Sequence, residues 1–212
     1  CVLLGDCILL SRKGREIFCA FAGDVREQAG IVRQKRKWLF ILMGLYFLGY
    51  FSILRANYAN YPIDDLARQI RGSREWMNFY RYCSELGSIF VHTSMRIFDI
   101  APLTQFIAIF FISLASFFVI ETFTDGRFSL AACVASLPMG LFPHYLSNFS
   151  YRYDSPYMAL SILASVTPFL FLKKRRSFII SSAACLFVMC TSYQASSGIY
   201  VCMAVLCFLK ML

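Results

Sequence analysis

Two adjacent carboxylates, Asp64 and Asp65, stand in the polar stretch NYANYPIDDLARQIRGSREW, which is bounded by long apolar runs. A carboxylate held beside a membrane can serve as general base toward a hydroxyl nucleophile. Neighbouring Asp side chains diverge on a helix, so one can be the base while the other positions a substrate or a cation. The plainer alternative is an acidic first helical turn, with Asp64 capping the helix and pairing with Arg68. A second cluster, SNFSYRYDSPYM, sets Arg152 beside Tyr153 and Asp154. Arginine suits a phosphate, and Asp154 suits sugar hydroxyls or the orientation of Arg152. Tyr153 offers a flat apolar face and a hydroxyl together, as sugars require. The ordinary reading of this cluster is an interfacial turn in which Asp154 caps the helix starting near Pro156. Tyr193 and Gln194 form a third polar point, which a simple hairpin tip also explains. Arg74–Phe98 reads as an amphipathic stretch carrying Trp76, with Arg81 and Glu85 spaced to pair one helical turn apart.

Metal chemistry has less support. None of the nine cysteines forms a CxxC pair, and His92 and His144 are isolated. Most cysteines lie in apolar runs, where the thiol packs as a small hydrophobe. Neither structural zinc nor haem is expected.

The elements that must position these residues are membrane helices. Of 212 residues, 58% are hydrophobic and 16% charged, with mean hydropathy +0.60. That is far more apolar than a soluble domain, and it excludes a disordered chain or a small disulfide-stapled one. The net charge of +9 arises from basic clusters beside apolar runs, which points to topology and not to nucleic acid. A span needs about 20 apolar helical residues. The sequence predicts an all-α polytopic membrane protein with about 5–6 transmembrane helices at 38–56, 101–120, 128–146, 157–172, 178–192 and 198–212. Pro138 and Pro143 should kink the third.

Basic flanks remain cytoplasmic, so Arg33–Lys37 places the N-terminus inside. Alternation then puts Lys173–Arg176 inside as well. Residues 57–100, 147–156 and 193–197, which carry all the candidate residues, fall outside. All tyrosines except Tyr46 also gather toward that face, a pattern that interfacial helices or carbohydrate recognition would each produce. In the long first outer loop, Leu66 and Ile70 share one face of a short helix ending at Gly72, expected to lie along the membrane surface. Residues 1–37 read as a basic cytoplasmic extension, native or otherwise. The first methionine is Met43 and the last apolar run ends at Leu212, so a fragment is expected.

In the segments YPIDDLAR, SREWMNFYRYCSEL, SNFSYRYDSPYMAL and TSYQAS, from about Trp38 onward, the sequence resembles the glucosyltransferase II family of bacterial and phage O-antigen modification. The likeness implies a GT-C-type integral enzyme of the bacterial inner membrane, longer than this chain, with residues 38–212 as the N-terminal transmembrane part of its catalytic domain. It implies transfer of glucose from a polyprenyl-phosphate donor to a sugar hydroxyl of lipid-linked O-antigen at the periplasmic face, with inversion at the anomeric carbon. Asp64 or Asp65 would be the base, and Arg81 and Arg152 would stabilise the departing phosphate. Trp76, Tyr153, Asp154, Tyr193 and Gln194 would complete the donor and acceptor contacts. A divalent cation and a donor flippase as partner are left open. The rival readings are a transporter or flippase of lipid-linked sugars, which should show ionisable residues within its spans, and a non-catalytic membrane subunit.

Overall fold

The computed structural model describes the backbone of residues 2–55 and 62–212, and the side chains of 14–55 and 65–212. Among the described residues every regular element is helical. Helix α1 (Val2–Gln34) is followed almost directly by α2 (Arg36–Arg55). The connection from α2 toward the next long helix holds α3 (Pro62–Arg71), a 3₁₀ turn (Trp76–Phe79) and α4 (Tyr82–His92). Then come α5 (Leu103–Thr124) and three short helices, α6 (Leu130–Ser136), α7 (Pro138–Leu141) and α8 (Pro143–Ser150). Helix α9 (Ser155–Val166) runs into a 3₁₀ stretch (Thr167–Phe171), before α10 (Arg175–Ser192), a 3₁₀ turn (Gln194–Ser196) and α11 (Ser197–Met211).

Helix α5 is the hub, packed against α2, α6 and α9. It buries Ala108, Ser113, Ala115 and Ser116, while α9 buries Ala159, Ser161, Ala164 and Ser165. Lipid provides no hydrophobic drive between helices, so close approach of small residues and interhelical hydrogen bonds must do that work. Tyr46 of α2 hydrogen-bonds Ser116 of α5 at 2.6 Å, and Tyr50 donates to the Gly140 carbonyl at 2.6 Å. Helix α2 turns Leu39, Leu42, Tyr46 and Tyr50 inward, at helical spacing, and leaves Phe40, Phe47, Leu48 and Phe51 on the outer surface. Apolar outside as well as inside is the pattern of a helix in lipid.

Among the described residues three helices are long and apolar enough to cross a membrane: Arg36–Arg55, Leu103–Thr124 and Gln194–Met211. A fourth crossing arises if Leu130–Leu141 and Pro143–Ser150 form one span, which bends by 64°. The bend falls where the sequence places its prolines, each at the start of a short helix, where the missing N–H interrupts the hydrogen-bond ladder. Gly140 is required there. A β-carbon would lie 2.5 Å from Tyr46, 2.7 Å from Ile112 and 2.8 Å from the Tyr50 hydroxyl. Helices also cover the two remaining expected segments, as the shorter apolar Ser155–Phe171 and as α10.

The bundle has two chemically different ends. At one, Lys35 pairs with Glu121 at 2.9 Å, Lys210 with Asp125 at 3.0 Å, and Lys174 with Asp24 and Glu27 at 2.7 and 2.6 Å. Residues 14–34 are thus not a detached tail, since α1 docks on α10 through Lys174 and Ser177, and Phe21 packs against Phe171. At the other end lie α3, α4 and the turns at 151–154 and 193–196.

Candidate active site

Pro62 opens α3 with the φ a first helical residue needs, and Gly72 closes it at φ +65°. Asp64 therefore falls inside the first turn and does not cap the helix; its side chain lies outside the described residues. The helix faces opposite to a soluble one: Leu66 and Ile70 are exposed, while Asp65 and Arg68 are buried. A helix lying at a membrane surface can do this, because its apolar edge meets lipid.

Asp65 is 4% exposed. Its Oδ2 accepts the backbone N–H of Arg152 at 3.0 Å, while Oδ1 is buried with no hydrogen-bond partner. Burial pushes its pKa up to about 6, opposed by the Arg152 amide, assisted by Asp154 and countered by Arg68 and Arg152. The two outer loops meet again at Asp154, which accepts from Arg68 at 2.6 Å and from the Trp76 indole. Arg68 lies over the Trp76 ring, 4.6 Å from its centre. The Arg152 guanidinium pairs with Asp99. Tyr153, 2% exposed, stacks on His92 with ring centres 6.2 Å apart, and burial pushes its hydroxyl up to about 12.

Several local expectations give way here. Arg68, expected to pair within its own helix, reaches Asp154, 86 positions away. Asp154 occupies the position before α9, but its carboxylate serves Arg68 and Trp76 and makes no cap. The stretch 74–98 is not one helix: Tyr80, in the left-handed region at φ 57°, separates the 3₁₀ turn from α4. Glu85 pairs with Arg74 at 2.9 Å instead of Arg81. That frees Arg81, which rests between the rings of Phe79 (5.5 Å) and Tyr193 (5.0 Å). Among the described residues Arg81 has no carboxylate partner, and its Nε is buried without a hydrogen bond. Gln194 reaches back to the Phe79 carbonyl at 3.5 Å.

Asp65, Arg152, Tyr153, Asp154 and Trp76 are therefore brought together, with Arg81, Tyr193 and Gln194 forming an adjoining group. Trp76 is fully buried, so its part is to hold Asp154. Sequence reasoning passed over Arg68 and Asp99 as site members. Neither carries a local signal, because each partner lies in another loop. Among the described residues no three His, Cys, Asp or Glu side chains converge as metal ligands.

The arrangement can take a proton at Asp65 and receive an anion at Arg81. Comparison with known proteins places it in a family. The family described as Glucosyl transferase GtrII matches residues 51–212, which include all of these residues. An uncharacterised 55.3 kDa protein from the gtrB 5′ region of Salmonella phage P22 is 27% identical over 132 residues, covering 62% of this chain. The chain spans 26% of that relative's length. No solved structure matches. With most of its length under the family's pattern, the chain belongs to the GtrII glucosyl transferase family.

Proposed function

We propose that the protein contributes the catalytic end of a GT-C-type glucosyltransferase that moves glucose from a polyprenyl-phosphate donor to a sugar hydroxyl of O-antigen lipopolysaccharide. The reaction takes place at the periplasmic face of the bacterial inner membrane. The observation that carries this reading is Asp65, a buried carboxylate with one unoccupied oxygen and a pKa raised to about 6, at the end of the bundle opposite the lysine cluster.

An acceptor hydroxyl attacks the anomeric carbon from the side opposite the phosphate. As the new C–O bond forms, the hydroxyl proton passes to Asp65 and the bond from the anomeric carbon to the phosphate oxygen breaks. The electron pair leaves with the polyprenyl phosphate, whose charge an arginine offsets. A pKa near 6 suits the base, since it stays ionised at neutral pH while binding a proton more firmly than an ordinary carboxylate. Arg81 is better placed than Arg152 for the phosphate, because Arg152 already faces Asp99. Tyr153, Asp154, Trp76, Tyr193 and Gln194 shape the surroundings, and Asp64, next in sequence to the base, is the second carboxylate, assigned to positioning the acceptor. Asp64 and Asp65 would be the carboxylate ligands of a divalent cation, were one bound, and a flippase that delivers donor would be the partner.

The bent helix favours a carrier of lipid-linked sugars as second reading, since broken helices surround carrier sites. However, residues 130–150 contain no Asp, Glu, Lys or Arg, which leaves that bend without a charged group to bind. The test is transfer in membranes from labelled polyprenyl-phosphate glucose to O-antigen acceptor, by this chain and by a form extended to the relative's length. Asp65→Asn should lower transfer by about 10²–10⁴-fold, the usual contribution of a general base. Wild-type activity in the inserted mutant would remove the assignment, and translocation without transfer would favour the carrier.

A further inference from the structure

A cavity of about 340 Å³ lies between the bent helix and the last helical hairpin. Met139, Phe142, Ile162 and Ile199 line it with apolar side chains, and Asn148 and Tyr193 add polar groups. Two features make it more than a packing defect. First, its walls are built largely from two candidate membrane crossings, the bent pair Leu130–Ser150 and Gln194–Met211, with Ile162 of α9 between them. Phe142, 62% exposed, marks the side open to the surroundings. Second, Tyr193 is shared: one ring lines the cavity and carries the Arg81 guanidinium 5.0 Å from its centre. An arginine without a carboxylate thus adjoins an apolar hollow in the membrane part of the protein.

That combination of one positive charge and an apolar recess matches an amphiphile with a phosphate at one end. The geometry points to this cavity as the seat of the first isoprene units of a polyprenyl phosphate, whose phosphate is held by Arg81. The volume is at the lower limit of about 300–1,000 Å³ for ligand pockets, so it takes the start of the chain while the rest runs out among the lipids. Tyr193 joins the two parts: it lines the recess, and its ring supports the cation that meets the phosphate. The proposal rests on the glucosyl-donor reading, but it concerns lipid binding and can be read without turnover.

The probe is polyprenyl phosphate carrying a diazirine in its first isoprene unit, added to the chain in phosphatidylethanolamine–phosphatidylglycerol vesicles. Crosslinks should map to α7, α8 and α11, and unlabelled polyprenyl phosphate should compete at least tenfold better than polyprenol, phosphatidylglycerol or inorganic phosphate. Ala195→Phe fills the recess from an exposed position, and Ile199→Trp fills it from within. Each should cut crosslinking about tenfold while an unchanged helical spectrum verifies folding, and Arg81→Met should remove the advantage of the phosphate. Crosslinks spread evenly over lipid-facing helices, or unaffected by Ala195→Phe, would overturn the proposal. Equal competition by phosphatidylglycerol would overturn it too, showing a general phospholipid site. If lipid seats here but no form transfers glucose, the enzyme reading fails and this one stands. If transfer proceeds with the same donor KM in the filled variants, the reverse holds.

Discussion

The two ends of the bundle pair charges to opposite effect, one through lysines and the other through arginines. At the lysine end, Lys174 reaches two carboxylates of α1 and Lys210 and Lys173 share Asp125, each pair with its lysine exposed to water. Such pairs are screened and interchangeable, and losing one leaves its partner to water. At the other end, Arg68 and Asp154 are only 6% and 8% exposed, Trp76 caps the pair, and Asp65 is buried beside them. There, no water stands ready to replace a missing partner. The first end fixes which way the helices sit, and the second fixes where individual atoms sit.

The sharpest way to break this contrast is Arg68→Met. It strands Asp154 with only the Trp76 indole, and should cost about 3–5 kcal/mol, read as a lowered midpoint of thermal unfolding in detergent. Adding Asp154→Leu should recover much of that loss, since an apolar pair tolerates the site better than half an ion pair. A loss in the double variant equal to the sum of the Arg68→Met and Asp154→Leu losses would show that the pair is not coupled.

Asp65 gives a second, opposite-signed effect. Its pKa is raised from 3.8 to about 6, so the folded protein binds this proton more tightly than the unfolded one. Stability from this group is therefore greatest below about pH 4, falls between 4 and 6, and stays reduced above. At pH 7, Asp65→Asn should raise the unfolding midpoint while abolishing transfer, the trade expected of a functional carboxylate. Wild-type transfer should rise through about pH 6 and then level, and a rate flat from pH 5 to 8 would count against Asp65 as base.

Gly140→Ala tests the region between the ends. The clash with Tyr46 and Ile112 should cost about 1–3 kcal/mol, as overpacking does, without altering the pH profile of transfer. Lys174→Ala has the smallest expected effect, an unfolding midpoint indistinguishable from wild type; a large drop would mean that α1 is an integral part of the bundle and not an attachment to it.

The sequence announces the helices of the bundle, because apolar length and proline position are local properties. It also locates Asp65, Arg152, Asp154 and Tyr193 at one end, because basic flanks orient the loops. It does not announce the pairing among them. The i, i+4 rule links Arg81 to Glu85 and Asp64 to Arg68, but it describes helices in water, where nothing else competes. In the folded chain Arg74 takes Glu85 and Asp154 takes Arg68, since tertiary partners reach these side chains in a buried setting. Among the described residues Arg81 is left without a carboxylate for the same reason, whereas its spacing had marked it as the partner of Glu85.

Asp154 also sets a schedule. Arg68 and Trp76 emerge early from the ribosome, and the carboxylate that satisfies both is made 86 and 78 residues later. A nascent chain stopped after α8 would carry its first outer loop with a guanidinium and an indole still seeking a partner. Completion of this end of the bundle thus waits on insertion of the segment that begins α9. Substitutions at Asp154 should then register first as premature turnover by membrane proteases during synthesis, before any assay of sugar transfer could detect them.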